Sequence, residues 1–178
     1  MWVFARNLTH DYWMIAPRAP YPADPSGFSW RDKFDSAEFG RPSLDQLRPS
    51  AEALIHLVDE YAASAQIDAT TFDVMGFSQG AAMSNVLAFL YPQRIRKVGI
   101  LAGFVPGGLE ALIPERPLQG KPFFVTHGTR DNMVPIDRAR SSVAILERAG
   151  ANVTYCEDDV AHKVSVTCLN ALKQFFAD

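Results

Sequence analysis

An α/β fold, a mostly parallel sheet with helices on both faces, is predicted by three observations. Five short runs rich in β-formers fall at residues 12–16, 72–75, 97–102, 123–126 and 153–156, each with the length of a buried strand. Helical patterns separate most of them, and strand alternating with helix implies right-handed crossovers within one sheet. No internal repeat, low-complexity tract or Ser/Gly linker divides the chain, so residues 1–178 are read as a single domain.

The first run leads into a long irregular stretch, residues 17–42. A helix then opens at Ser43, with Gln46 three residues on at capping-box spacing, and repeats Leu47, Ala51, Leu54, Leu57 or Val58, and Tyr61 on one face. The helix expected over residues 78–90 is apolar on nearly every side, which predicts burial rather than a surface position. A second irregular stretch, residues 103–121, follows the third run. The next helix has Pro135 near its first turn, Ile136, Ala139, Val143 and Leu146 at helical spacing, and Gly150 where a left-handed cap belongs. Val166, Leu169, Leu172 and Phe176 mark the last helix. Both long connections leave the carboxyl ends of predicted strands, the edge where open α/β sheets bind ligands.

Composition excludes several classes. A chain of 178 residues that is 48% apolar and 21% charged is long enough to bury a core. Seventeen basic against twenty acidic residues give a net charge of −3 without a like-charge run, which argues against a nucleic-acid partner. The longest apolar run, residues 98–106, is under half of the roughly 20 residues a membrane helix needs. Arg6, His10 and Asp11 interrupt the amino-terminal apolar stretch, so no secretory signal is read and a cytoplasmic location is expected. Cys156 and Cys168 are accordingly expected as two reduced thiols, with a bridge between them left open.

The chemistry concentrates in Gly76-Phe77-Ser78-Gln79-Gly80, directly after one predicted strand and directly before the buried helix. A G-x-S-x-G pentapeptide is common by chance; in this setting it predicts a tight strand-to-helix turn that exposes the serine oxygen above the sheet. The plain alternative is a glycine-rich turn with a capping serine. A nucleophilic serine needs a base, and of four histidines His162 alone follows the last strand and precedes the last helix, on the same sheet edge as Ser78. His10 lies beside a strand start, His56 is mid-helix, and His127 closes a strand and serves its turn. Asp131, just past the fourth run and between Ser78 and His162, is the candidate to orient the imidazole. Asp137 falls inside a helix, and Asp158 and Asp159 sit too close to His162 along the chain to reach around its ring.

These motifs carry a resemblance. The segments 74–81, 101–106 (Leu-Ala-Gly-Phe-Val-Pro), 127–135 (His-Gly-Thr-Arg-Asp-Asn-Met-Val-Pro) and 161–163 (Ala-His-Lys) closely resemble the phospholipase/carboxylesterase family of α/β-hydrolases, which includes bacterial carboxylesterases and acyl-protein thioesterases. Residues 15–20 and 27–30 look like its early strand and the aromatic loop after it, so the likeness spans essentially the whole chain. Ala161 departs from a glycine frequent in relatives. The resemblance implies hydrolysis of carboxylic esters or thioesters through an acyl-serine, with no metal or organic cofactor. Ser78 is then the nucleophile, His162 the base and acid, Asp131 its orienting partner, and the Gln79 N–H an oxyanion donor. Phe104, Val105 and Met133 are expected to line the acyl pocket, with Trp30 and Phe28 covering it.

In the family, a strand ending in a His-Gly turn precedes the part matched by Trp2 to Leu8, and its loop supplies a second oxyanion donor. The sequence starts after that point, so an N-terminally shortened sheet is expected, with association of copies favoured. That shortening motivates an alternative reading, a catalytically impaired fragment or a non-catalytic binding domain. A dinucleotide-binding domain is disfavoured, because neither G-x-G-x-x-G spacing nor a Walker-type Gly-Lys-Ser/Thr is present.

Overall fold

The computed structural model describes Phe4, Leu8, residues 13–32 and residues 41–177. Residues 13–20 are irregular and lead to a short antiparallel pair, β1 (Tyr21–Pro22) with β2 (Phe28–Ser29). Helix α1 (Leu44–Ala65) carries the expected capping box: the Gln46 N–H donates to Ser43 Oγ, and the Ser43 N–H donates to Gln46 Oε1. Strand β3 (Phe72–Phe77), helix α2 (Gln79–Leu90), strand β4 (Ile95–Leu101), a 3-10 segment (Leu109–Glu115) and strand β5 (Pro122–Gly128) follow. Helix α3 (Ile136–Arg148), strand β6 (Asn152–Asp158) and helix α4 (Val166–Ala177) complete the order.

The sheet runs β3-β4-β5-β6 with every neighbouring pair parallel. Alternation along the strands divides the apolar side chains between two cores. Val98 and Ile100 of β4 and Phe123 and Val125 of β5 face α1, α2 and α3, whereas Leu101 and Phe124 face Leu172 and Phe176 of α4. Helix α2 is buried from Ala81 to Phe89, as its all-round apolar pattern requires.

Two expectations are corrected. Residues 13–16 form no strand, while Tyr12, His10, Arg6 and Asp11 lie outside the described residues. An apolar run becomes a strand only when a neighbour completes its hydrogen-bond ladder. Here Trp13 to Pro17 and β3 instead both line one groove of about 940 Å³, and β3 is a free edge among the described residues. The two cysteines are not separate thiols: Cys156 on β6 and Cys168 on α4 form a disulfide, their Cα atoms 5.8 Å apart. That spacing is ordinary for a bridge, and a linear sequence does not disclose it. No helix among the described residues is long and apolar enough to cross a membrane.

Candidate active site

Strand β3 carries the motif glycine Gly76 as its penultimate residue and hands the chain to α2 through a tight corner. A Cβ on Gly76 would lie 2.0 Å from the Gly80 carbonyl oxygen, so only glycine allows this approach. Gly80 has no such need, since a Cβ there meets nothing within 4 Å. Ser78 occupies φ 55°, ψ −116°, a conformation rare for a residue with a side chain and one that persists only when its surroundings hold it. Those surroundings are hydrogen bonds from the Ser78 N–H to the Leu101 carbonyl, and from the Ala81 and Ala82 N–H groups to the Ser78 carbonyl. The Gln79 N–H falls in the first turn of α2, where intrahelical acceptors are lacking.

The loops after β5 and β6 bring the other polar residues to this corner. His162 Nε2 lies 3.0 Å from Ser78 Oγ, and His162 Nδ1 lies 2.6 Å from Asp131 Oδ2. A carboxylate only accepts, so Nδ1 carries the ring proton and Nε2 is left to accept the Ser78 hydroxyl. The Met133 and Val134 N–H groups each donate to Asp131 Oδ1 at 2.9 Å. Burial opposes ionisation of Asp131, yet the Val134 N–H, the His162 ring and the Met133 N–H together hold its carboxyl below the usual range. The His162 side chain stays 15% exposed, and its ring stands 4.9 Å from that of Phe77. The His162 loop is pinned from below: a Cβ on Gly128 would come within 2.2 Å of the Val160 oxygen, and the Arg130 N–H donates to that same carbonyl.

The structure divides the residues expected around the acyl group. Phe28 and Trp30 border the groove together with Ser78 and Gln79. Val105 does not: it is fully buried in the larger core. Phe104 lines a separate recess of about 210 Å³ with Arg41 and Arg138, and Met133 points to solvent, 72% exposed. The chain after β4 dives inward because Gly103 packs against Ala81, which draws Val105 into the core. Missed by sequence reasoning are the apolar Trp13, Ile15 and Tyr61 of the groove wall and the side chain of Gln79. The Gln79 amide donates to Ser29 Oγ and accepts from the Trp30 N–H, while Ser50 Oγ donates to the Trp30 carbonyl. Only the rule that loops at this sheet edge shape the site pointed to these contacts. Among the described residues no group of three or more His, Cys, Asp and Glu is placed to hold a metal ion.

A model of the phospholipase/carboxylesterase family matches residues 4–178. Acyl-protein thioesterase 1 of Debaryomyces hansenii is 31% identical over 171 residues, which span 92% of this chain and 73% of that protein. Carboxylesterase SOBER1 of Arabidopsis thaliana is 27% identical over 158 residues, 84% of this chain and 68% of its own length. In fold, a carboxylesterase from Mesorhizobium loti superposes with a TM-score of 0.78 at 19% identity, covering 98% of this chain and 80% of its own. A Bacillus cereus carboxylesterase superposes at 0.64 and 22% identity over 75% of this chain, which spans 61% of that one.

Proposed function

This chain belongs to the phospholipase/carboxylesterase family, hydrolases of carboxylic esters, and from that premise we propose that it cleaves an ester or thioester through an acyl-serine on Ser78. The observation that carries the reading is the continuous Ser78, His162, Asp131 hydrogen-bond chain at a strained corner bordering an apolar groove. Ser78 Oγ attacks the acyl carbon as its proton passes to His162 Nε2, and the carbonyl electron pair moves to oxygen. The Gln79 N–H donates to that oxyanion, an interaction whose loss typically costs roughly 10²–10³ in rate. Collapse expels the alcohol or thiol, which takes the proton from His162; water then repeats the sequence and frees the acid. Asp131, kept ionised, holds the ring in the required tautomer and stabilises its cation.

Phe28 and Trp30 form part of the acyl wall in this reading, and the name of the yeast relative extends it to acylated proteins as candidate substrates. A fluorophosphonate probe tests the core of the proposal. Mass analysis should find the probe on Ser78 of the intact chain and none on Ser78→Ala, with ester turnover of that variant down by at least about 10⁴-fold. Equal labelling of the two proteins, or none of either, defeats it. A panel of nitrophenyl esters and thioesters of increasing acyl length then ranks the substrates. The same proposal includes one α/β-hydrolase domain over residues 1–178, a cytoplasmic site of action, against which the Cys156–Cys168 bridge counts because a reducing compartment disfavours disulfides, and self-association along the β3 edge, which is unpaired among the described residues. Limited proteolysis, cell fractionation and light scattering check these in turn.

A further inference from the structure

A second histidine touches the carboxylate that orients His162. His127, fully buried at the end of β5, places Nε2 2.7 Å from the Val134 carbonyl oxygen and 3.3 Å from Asp131 Oδ2. Both neighbours accept, so Nε2 carries the proton and Nδ1 is bare. Among the described residues Nδ1 is buried without a hydrogen-bond partner, a cost native proteins seldom carry without reason. Glu157, opposite His127 in the β5–β6 register, directs its hydrogen bonds to Arg140 and Tyr155 instead.

We propose that His127 is a positioning residue for the hydrolytic reaction, its Nε2–H bridging Asp131 Oδ2 and the Val134 carbonyl so that the carboxylate keeps one orientation toward His162. Asp131 then has both oxygens engaged: two backbone N–H groups on Oδ1, and on Oδ2 the His162 ring at 2.6 Å with the His127 ring at 3.3 Å. The bridge also closes the turn from β5 to α3, because its two acceptors lie on either side of residues 132–133. A shared N–H draws negative charge from Oδ2. Removing it leaves a stronger acceptor for the His162 N–H, favours the imidazolium and moves the acid limb of the rate profile to higher pH.

The proposal rests on the Ser78 reading, and its test separates the two. His127→Leu, compared with His127→Gln, whose amide can restore the donor, should lose about 10–100-fold in kcat at nearly constant KM, with the acid limb of kcat/KM displaced upward. His127→Gln should recover most of the rate and return the limb toward its original pH. A folded His127→Leu within about twofold of wild type, an unmoved acid limb, or no recovery in His127→Gln overturns the proposal. A second arm needs neither activity nor a folded leucine variant. Long-range proton-nitrogen NMR of the wild-type chain, with the His127 ring assigned by its loss in His127→Gln, should show the Nε2–H tautomer. An Nδ1–H ring overturns the bridge. Should the probe fail to label Ser78, the functional reading falls, while the tautomer still decides the bridge.

Discussion

Around the carboxyl ends of β5 and β6 the loops are held by a cluster of hydrogen bonds and a disulfide, whereas the groove beside β3 offers apolar area and few ties. In the first region the Thr129 and Arg130 N–H groups hold the Asp158 and Val160 carbonyls, and the Arg130 guanidinium grips Asp159 through both its carbonyl and its carboxylate. Asp131 accepts three hydrogen bonds, and the Cys156–Cys168 bridge spans the segment that carries His162. In the second region Trp13, Ile15, Phe28 and Tyr61 present exposed apolar surface to the groove, and the Trp30 strap hangs on Gln79 and Ser50. The contrast follows the two tasks. A proton relay loses rate when it shifts by about 1 Å, whereas apolar binding scales with area and tolerates adjustment.

The comparison breaks first if the rigid region does not depend on its bridge. Cys156 and Cys168 are 12 residues apart, and closing such a loop contributes about 3 kcal/mol in the chain-entropy account. For a domain of this size the double variant Cys156→Ala/Cys168→Ala should melt roughly 6–12 °C lower by calorimetry. A decrease under about 2 °C would show that the hydrogen bonds alone carry this region.

Glycine substitutions sharpen the contrast next. Alanine at Gly128 drives a Cβ to 2.2 and 2.3 Å from the Val160 and Ala161 oxygens, both backbone, so the His162 loop has to move. Turnover should fall about 100-fold, the scale of a 1 Å misplacement. Alanine at Gly80 meets nothing within 4 Å of the protein and replaces glycine inside α2. Its melting temperature should hold or rise, since alanine favours helix by up to about 1 kcal/mol. Equal damage from both would erase the difference between the regions.

What was legible in the sequence divides along the same line. Ser78, Asp131 and His162 each follow a strand of the parallel sheet within a few residues, so local patterning and chain order were enough to place them on one edge. The capping box of α1 and the buried character of α2 were legible for the same reason, being encoded within one turn of helix or one periodic stretch. Residues 13–16 misled because a strand requires a partner that no local pattern supplies. Val105 and Met133 misled because a long loop has no periodicity to tell inward from outward. The contact of His127 with Asp131 resembles an i,i+4 pair but bridges a turn rather than a helix, and the Gln79 tether spans about fifty positions.

The Trp30 strap gives a smaller effect. Gln79→Leu keeps the backbone N–H while removing both side-chain bonds to residues 29–30. Two partly exposed hydrogen bonds of about 0.5–1.5 kcal/mol each imply a KM several-fold higher, with kcat changed less. A loss confined to kcat would instead assign the Gln79 side chain to the relay and dissolve the division between the regions.

The smallest effect probes how far the rigid region reaches across β6. The Glu157 carboxyl is pulled down to about 2, first by the Arg140 guanidinium and then by the Tyr155 hydroxyl. A carboxylate lowered in the folded state stabilises above its unfolded value, and that contribution fades as pH falls from about 4.5 toward about 2. Arg140 is 56% exposed, so water screens the pair and its contribution is small. Glu157→Gln should therefore melt only a few degrees lower near neutral pH, and the two melting curves should converge at about pH 2, where Glu157 is half protonated or more. If the gap persists undiminished in acid, charge is not its source. The Tyr155 and Arg140 contacts would then hold the strand face by shape, and the rigid region would end at the His162 loop rather than at the outer strand.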